Sequence, residues 1–242
     1  MAMNEYYAMN GEVGIHYFDS MAGADEKLAP VVVCPGLSET AEEYVDLLQE
    51  LAPRRCILLS FRGRGKSDTP KSGYNLAEHV ADIEAVIESA GLTDFHLFGF
   101  SRGVSYALGF AHKHSTAVRS LIVGDYPPEH RSMPDGWAED YIHNYLIPFN
   151  RTANIRQDAV WGIQRESMFI PLNQTLPMPL FVGRGQLEGS LIDDTHMNLY
   201  RQMSTAIQEK QYARSGHALE SGDKKAFYRD VNQFIGDQDK FN

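Results

Sequence analysis

The pentapeptide Gly99-Phe100-Ser101-Arg102-Gly103 is the stretch of this sequence best suited to chemistry. It follows the apolar run Phe95-His96-Leu97-Phe98 and precedes a helical pattern, the strand–turn–helix setting that a G-x-S-x-G nucleophile turn requires. Glycines two before and two after the serine remove Cβ atoms that would clash in so tight a turn. The turn lifts the serine Oγ above the strand ends, at a helix N-terminus whose dipole favours developing negative charge. The plain alternative is an ordinary strand-to-helix turn with a capping serine.

A serine hydroxyl attacks only when a base lies within hydrogen-bond reach and that base is oriented by an acceptor. Nine histidines are available. His79, His112, His114 and His196 fall on helical patterns and read as surface or helix-end residues. His16 and His96 fall in strands, and His130 and His143 lie in a segment that could touch substrate. His217 alone stands in a glycine-bearing loop, Ser215-Gly216-His217, after the last strand-like region, and is the expected base. A thiol nucleophile is the weaker choice: Cys34 and Cys56 each sit at one end of an expected strand, where cysteine behaves as a small hydrophobe.

Positioning these residues takes a sheet. The runs Val31-Val32-Val33, Cys56-Ile57-Leu58-Leu59, Phe95-His96-Leu97-Phe98 and Leu121-Ile122-Val123 are short and do not alternate with polar residues, as in parallel strands buried on both faces. Leu180-Phe181-Val182 and a weaker Ala206-Ile207 region follow, and two strands flanking Asn10-Gly11 suggest a hairpin with a type I′ turn at the start. Helical stripes lie between them over 40–51, 76–90 (with Asn75 as cap), 103–114 and 223–236. Strand alternating with helix predicts a doubly wound parallel sheet with helices on both faces. Residues 126–178 break the rhythm, with weaker helices near 137–147 and 156–167. They read as a lid inserted into a core of residues 1–125 and 179–242.

With these elements placed, the chain resembles the α/β-hydrolase superfamily over nearly its whole length. Cys34-Pro35-Gly36-Leu37 is similar to its oxyanion loop, with proline where histidine is usual. Phe61-Arg62-Gly63-Arg64-Gly65-Lys66-Ser67-Asp68 is similar to its x-R-G-x-G-x-S turn, and Ser215-Gly216-His217 to its histidine loop. The resemblance implies an α/β-hydrolase fold: a mostly parallel eight-stranded sheet, helices on both faces and a short helical lid. It implies an oxyanion hole from the backbone N–H groups of Leu37 and Arg102. For the acid it leaves two positions open. Glu188 fills the usual slot after the seventh strand, in Gly185-Gln186-Leu187-Glu188. Asp125, after the sixth, matches relatives such as haloalkane dehalogenases, and is the first choice.

Other features weigh less. A net charge of −10 disfavours nucleic acid, and no stretch is long and apolar enough to span a membrane. The first twenty residues lack the apolar run of a signal peptide, and two cysteines suit the cytoplasm. Arg62-Gly63-Arg64-Gly65-Lys66 lacks the spacing of a phosphate-binding loop, and Gly183-Arg184-Gly185 lacks a third glycine. No metal motif is present and no cofactor is expected. Trp137, Tyr141, Tyr145 and Trp161 of the lid are candidates for the substrate pocket, and Arg151, Arg156 and Arg165 read as solvated surface. The expected function is hydrolysis of a small carboxylic ester, thioester or lactone through an acyl-enzyme. A carbon–carbon bond hydrolase and a slow or non-catalytic ligand sensor are the alternatives. A serine at the turn excludes aspartate-nucleophile chemistry. Substrate identity and oligomeric state are not written in the sequence.

Overall fold

The computed structural model describes residues 3–240, and of residues 220 and 221 the backbone. The apolar runs become the middle of one sheet: β3 (Val31–Cys34), β4 (Cys56–Leu59), β5 (Phe95–Phe100), β6 (Val118–Gly124) and β9 (Leu180–Gly185). With the hairpin β1 (Asn4–Asn10) and β2 (Val13–Asp19) at one edge and β10 (Ile207–Tyr212) at the other, the order is β1-β2-β4-β3-β5-β6-β9-β10. The pairings β1/β2 and β2/β4 are antiparallel and the rest are parallel. The eight-stranded, mostly parallel sheet is the one expected.

Successive strand residues point to opposite faces, so each central strand feeds two cores. Val32, Ile57, Leu97, Leu121 and Val182 join α2 (Leu76–Ala90), α3 (Gly103–Lys113) and α6 (Asp194–Met203) on one face. Val31, Val33, Leu58, Phe98, Ile122 and Phe181 join α1 (Val45–Leu51) and α8 (Lys224–Asp239) on the other. Asn75 caps α2, its side chain accepting from the Glu78 N–H. The opening turn differs from expectation. Asn10 pairs with Val13, so the loop is Gly11-Glu12, and Gly11 alone has positive φ. One positive φ at the first loop position is the pattern of a type II′ turn rather than type I′.

Between β6 and β9 the chain forms the ribbon β7 (Glu129–His130) and β8 (Ile170–Pro171), and the helices α4 (Trp137–Tyr141), which continues as a π turn to Leu146, and α5 (Gln157–Glu166). These helices share a small apolar cluster with Tyr74 of the core. Arginines expected at the solvated surface instead fasten the segment down. Arg151 bonds the Ser38 carbonyl at 2.8 Å and the Glu43 carboxylate at 2.9 Å. Arg156 donates to Thr69 Oγ1 at 2.7 Å and to the carbonyls of Gly65 and Ser67. Arg165 is exposed, as expected. Between α7 (Leu219–Gly222) and β10 lies the loop carrying His217.

Candidate active site

Ser101 lies immediately after β5, with φ of 51°. A non-glycine residue in the left-handed region costs on the order of 1–3 kcal/mol and persists only where its surroundings enforce it. Here they do. The Ser101 N–H continues the sheet by donating to the Gly124 carbonyl at 2.8 Å. A Cβ on Gly103 would lie 2.2 Å from the Cys34 oxygen, and one on Gly99 2.7 Å from the Val104 Cα. Both flanking positions thus demand glycine, as the motif implied.

His217 and Asp125 arrive from the ends of other strands. His217 Nε2 is 2.9 Å from Ser101 Oγ, and Nδ1 is 2.9 Å from Asp125 Oδ2. Since Asp125 can only accept when ionised, the network assigns the imidazole proton to Nδ1 and leaves Nε2 to accept from the serine hydroxyl. The imidazole stacks on Phe100, with ring centroids 5.5 Å apart. Asp125 is fully buried, also at positive φ (44°). It accepts from Ser190 Oγ at 2.6 Å and from the Leu191 N–H at 3.0 Å. Glu188, the other acid weighed, is exposed. Its main-chain oxygen packs against Gly216, where a Cβ would approach to 2.3 Å. The loop after β9 therefore supplies donors to the acid from Ser190 and Leu191.

The loop after β3 leans on Ser101: a Cβ on Gly36 would lie 3.1 Å from the Ser101 Cβ. Pro35 has no N–H, and the Gly36 N–H is already donated to Glu39 Oε2 at 2.6 Å. Among the described residues, the backbone N–H groups of Leu37 and Arg102 are given to no other group. They are the two N–H groups that the family resemblance offers for an oxyanion hole. Arg64, fully buried, holds the loop from behind by donating to the Leu37 carbonyl at 3.0 Å.

A cavity of about 300 Å3 opens onto Ser101 and His217, bounded by residues 36–39, Phe100, Ala218, Tyr141 and Tyr145. Tyr141 bonds Ser38 Oγ at 2.8 Å and stacks on Tyr145 at 5.0 Å. Two of the four pocket candidates are elsewhere. Trp137 stacks behind Tyr141 at 5.1 Å, within the lid's own apolar cluster. Trp161 lies in a separate hollow with Thr69, Lys71 and Arg165. Cys34 is fully buried, and burial drives its thiol far above the ordinary range, which removes it as a nucleophile.

Two histidines differ from expectation. His79 is fully buried: Nδ1 bonds the Asn75 carbonyl at 2.8 Å and Nε2 faces Arg64 Nη1 at 2.9 Å. His130, weighed as a substrate contact, is buried behind the turn, with Nδ1 3.0 Å from Ser105 Oγ and Nε2 3.2 Å from Arg102 Nη2. Sequence reading missed Ser190, Leu191, Ser38 and Glu39. Glu39 alone left a trace there, as a charged residue three positions beyond the oxyanion-loop glycine.

Among the described residues, no group of three or more His, Cys, Asp or Glu side chains is arranged to hold a metal ion, and no helix is long and apolar enough to cross a membrane.

Residues 29–184 match the alpha/beta hydrolase fold family. Over 239 residues the chain is 21% identical to N-formylmaleamate deformylase of Pseudomonas putida, covering 85% of this chain and 88% of that protein. A probable lysophospholipase, BODYGUARD 1 of Arabidopsis thaliana, is 36% identical over 97 residues. That match covers 39% of this chain and only 20% of the plant protein's length. The esterase RhEst1 from Rhodococcus sp. ECU1013 superposes with a TM-score of 0.80 at 19% identity, over 98% of this chain and 99% of that one. With more than half of its residues matching one family and its fold shared across nearly its full length, the chain belongs to the α/β-hydrolase family and, as an enzyme, to the hydrolases.

Proposed function

We propose that this hydrolase cleaves a small carboxylic ester, thioester or lactone through an acyl-enzyme on Ser101. The observation that carries this reading is the unbroken hydrogen-bond chain Ser101–His217–Asp125, 2.9 Å at each link, opening onto a cavity. His217 Nε2 takes the hydroxyl proton as Oγ attacks the carbonyl carbon. The backbone N–H groups of Leu37 and Arg102 stabilise the oxyanion. The tetrahedral intermediate collapses as the leaving alcohol or thiol receives that proton from His217. Water then gives a proton to Nε2 and attacks the acyl carbon, and the acid departs as Ser101 recovers its hydrogen. Asp125 holds the imidazole in the tautomer that can accept, and stabilises the imidazolium formed in each half-reaction. The cavity, at the lower end of the size range of ligand sites, suits a small substrate. The Pseudomonas relative is named a deformylase and the solved neighbour an esterase; an ester is the substrate proposed here. Two free, buried thiols are in keeping with the cytoplasm as its place of work.

Labelling with a neutral fluorophosphonate, read by intact mass and peptide mapping, tests the reading. One adduct is expected, on Ser101, absent from Ser101→Ala and strongly slowed in His217→Ala. A folded protein that stays unlabelled would overturn it. Labelling with ester turnover that stops near one equivalent would favour the ligand sensor instead.

A further inference from the structure

The lid wall of the cavity is part of a longer aromatic row. Trp137, Tyr141, Tyr145 and Phe149 follow one another every four residues, with ring centroids 5.1, 5.0 and 5.3 Å apart and planes inclined by 19°, 24° and 42°. An ordinary helix does not give such a row. At 3.6 residues per turn, residues four apart lie about 40° out of line, so three steps would carry Phe149 about 120° round from Trp137. The chain avoids this with the π turn Ile142–Leu146, closed by the Ile147 N–H on the Ile142 carbonyl at 3.0 Å. A π turn holds more residues than an α turn, so Tyr145 falls short of a full turn from Tyr141 and the drift is wound back. Such turns are rare and occur mostly at functional sites.

The row runs from covered to bare. Trp137 packs into the lid's apolar cluster, and Tyr141 and Tyr145 line the cavity. Tyr145 is 38% exposed and Phe149, one ring step further out, is 66% exposed. An exposed phenylalanine forgoes the stabilisation that burying its ring would bring. Here it prolongs the wall of the site into solvent. A flat ring carried by a bound substrate is the group that completes such a stack, because aromatic pairs gain from offset stacking beyond the area they bury. A macromolecule seated on Tyr145 would instead close the cavity that Tyr145 lines.

We propose that Tyr145 and Phe149 form an aryl subsite at the mouth of the cavity, so that this site prefers ester-like substrates carrying a flat aromatic ring a few atoms from the reacting carbonyl. This deepens the serine-hydrolase reading and rests on it.

Trifluoromethyl ketones test both, because their adducts need no turnover. Ser101 Oγ bonds to the carbonyl carbon, the serine proton passes to His217 Nε2, and the carbonyl oxygen becomes the oxyanion; no group leaves. A ketone with a propyl arm reports the Ser101–His217 pair alone. Others end in phenyl or cyclohexyl, on arms of two, three or four methylenes, and fluorine NMR titration gives the dissociation constants. At the best arm length the phenyl ketone is expected to bind about fivefold tighter than its cyclohexyl counterpart, which is at least as apolar but cannot stack. Phe149→Leu keeps an apolar side chain and removes the ring, so the ratio should fall below about twofold. A ratio cancels any change in lid geometry common to the two reagents. If the propyl ketone forms an adduct that Ser101→Ala lacks, but the wild-type ratio is one or less at every arm length, or survives Phe149→Leu unchanged, this inference is overturned and the serine-hydrolase reading stands. If no ketone forms an adduct with the folded protein, both fall. Should Phe149→Leu not fold, the wild-type ratio alone decides.

Discussion

Asp125 and Glu188 are both acids in loops that follow strands of the same sheet, and what separates them is how many donors surround each carboxylate. Three converge on Asp125, from His217, Ser190 and Leu191, and the group is fully buried. Glu188 points to solvent. An orienting acid acts by accepting from Nδ1–H, which an amide can do only if its oxygen, rather than its NH2, faces the ring. In Asp125→Asn the imidazolium loses its counter-charge, and an amide that keeps its oxygen for Ser190, at the Oδ1 position, puts its NH2 in place of the Oδ2 that Leu191 and His217 share. The ring then carries its proton on Nε2 and can no longer accept from Ser101. The expected loss in kcat is roughly 10⁴-fold, as in other triads so altered. Glu188→Gln should leave kcat within about twofold, as for an exposed residue off the pathway. Steady-state hydrolysis of a neutral ester checks both, and a comparable loss in the two variants would contradict the assignment of Asp125.

At the scale of elements, what was legible in the sequence is what short-range pattern encodes. The central strands were readable because burial on both faces removes polar residues from them, and Ser101 because its turn needs two glycines in fixed places. The long apolar stripes of α1 and α2 showed their faces. His217 was found by its place after the last strand. What failed to show depends on partners far away in sequence. His79 sits one turn before Ile83 on α2, and its burial follows from Arg64, 15 residues earlier, which no periodicity reveals. The first hairpin was misplaced by one residue because Asn10-Gly11 is a strong turn signal. Asn10 is instead used as the last strand residue, its side chain donating to Asp82 at 2.9 Å. Arg156 looked like a solvated cation, since the carbonyls that hold it belong to a loop about 90 residues away. Those bonds make it a staple between lid and core. Arg156→Met should remove several hydrogen bonds from a charged donor and lower unfolding free energy by about 2 kcal/mol, since each such bond contributes about 1.5–3 kcal/mol and the site is only half-buried. Urea titration measures the loss. Limited proteolysis should show faster cutting within 126–178 than in wild type, and equal rates with an unchanged urea midpoint would show that Arg156 holds nothing.

Taken as a whole, the molecule buries cations beside neutral histidines, and this fixes how it must respond to acid. Arg64 and Arg102 are fully buried and are hydrogen-bonded to neutral acceptors rather than to carboxylates. Each donates to a histidine nitrogen, His79 Nε2 or His130 Nε2, and the two imidazoles flank Tyr106 with centroids 4.1 and 5.9 Å from its ring. Both histidines must therefore stay neutral with the proton on Nδ1. Burial, and then the neighbouring Arg102, lowers His130 to about 3. Burial, and then Arg64, holds His79 well below the usual histidine range. In the unfolded chain both titrate near the ordinary value of about 6.5. As pH falls through that value the unfolded state takes up protons and the folded state does not, so stability present above pH ~6.5 is lost progressively below it. His16 and His96, lowered by burial, act in the same sense. Asp239 works in a separate window. Burial opposes its ionisation, but hydrogen bonds from His96 and Arg54 hold it low, so its contribution is lost only below the ordinary carboxylate range of about 4. Between pH 6.5 and 5 each fully neutral buried histidine accounts for on the order of 2 kcal/mol. His130→Gln offers an acceptor to Arg102 and a donor to Ser105 without a titrating group. Its stability should fall less steeply than wild type from pH 7 to 5, whatever its absolute value at pH 7. Unfolding free energies at several pH values across that range check this, and identical slopes for the two proteins would mean that His130 is not held neutral by its cation.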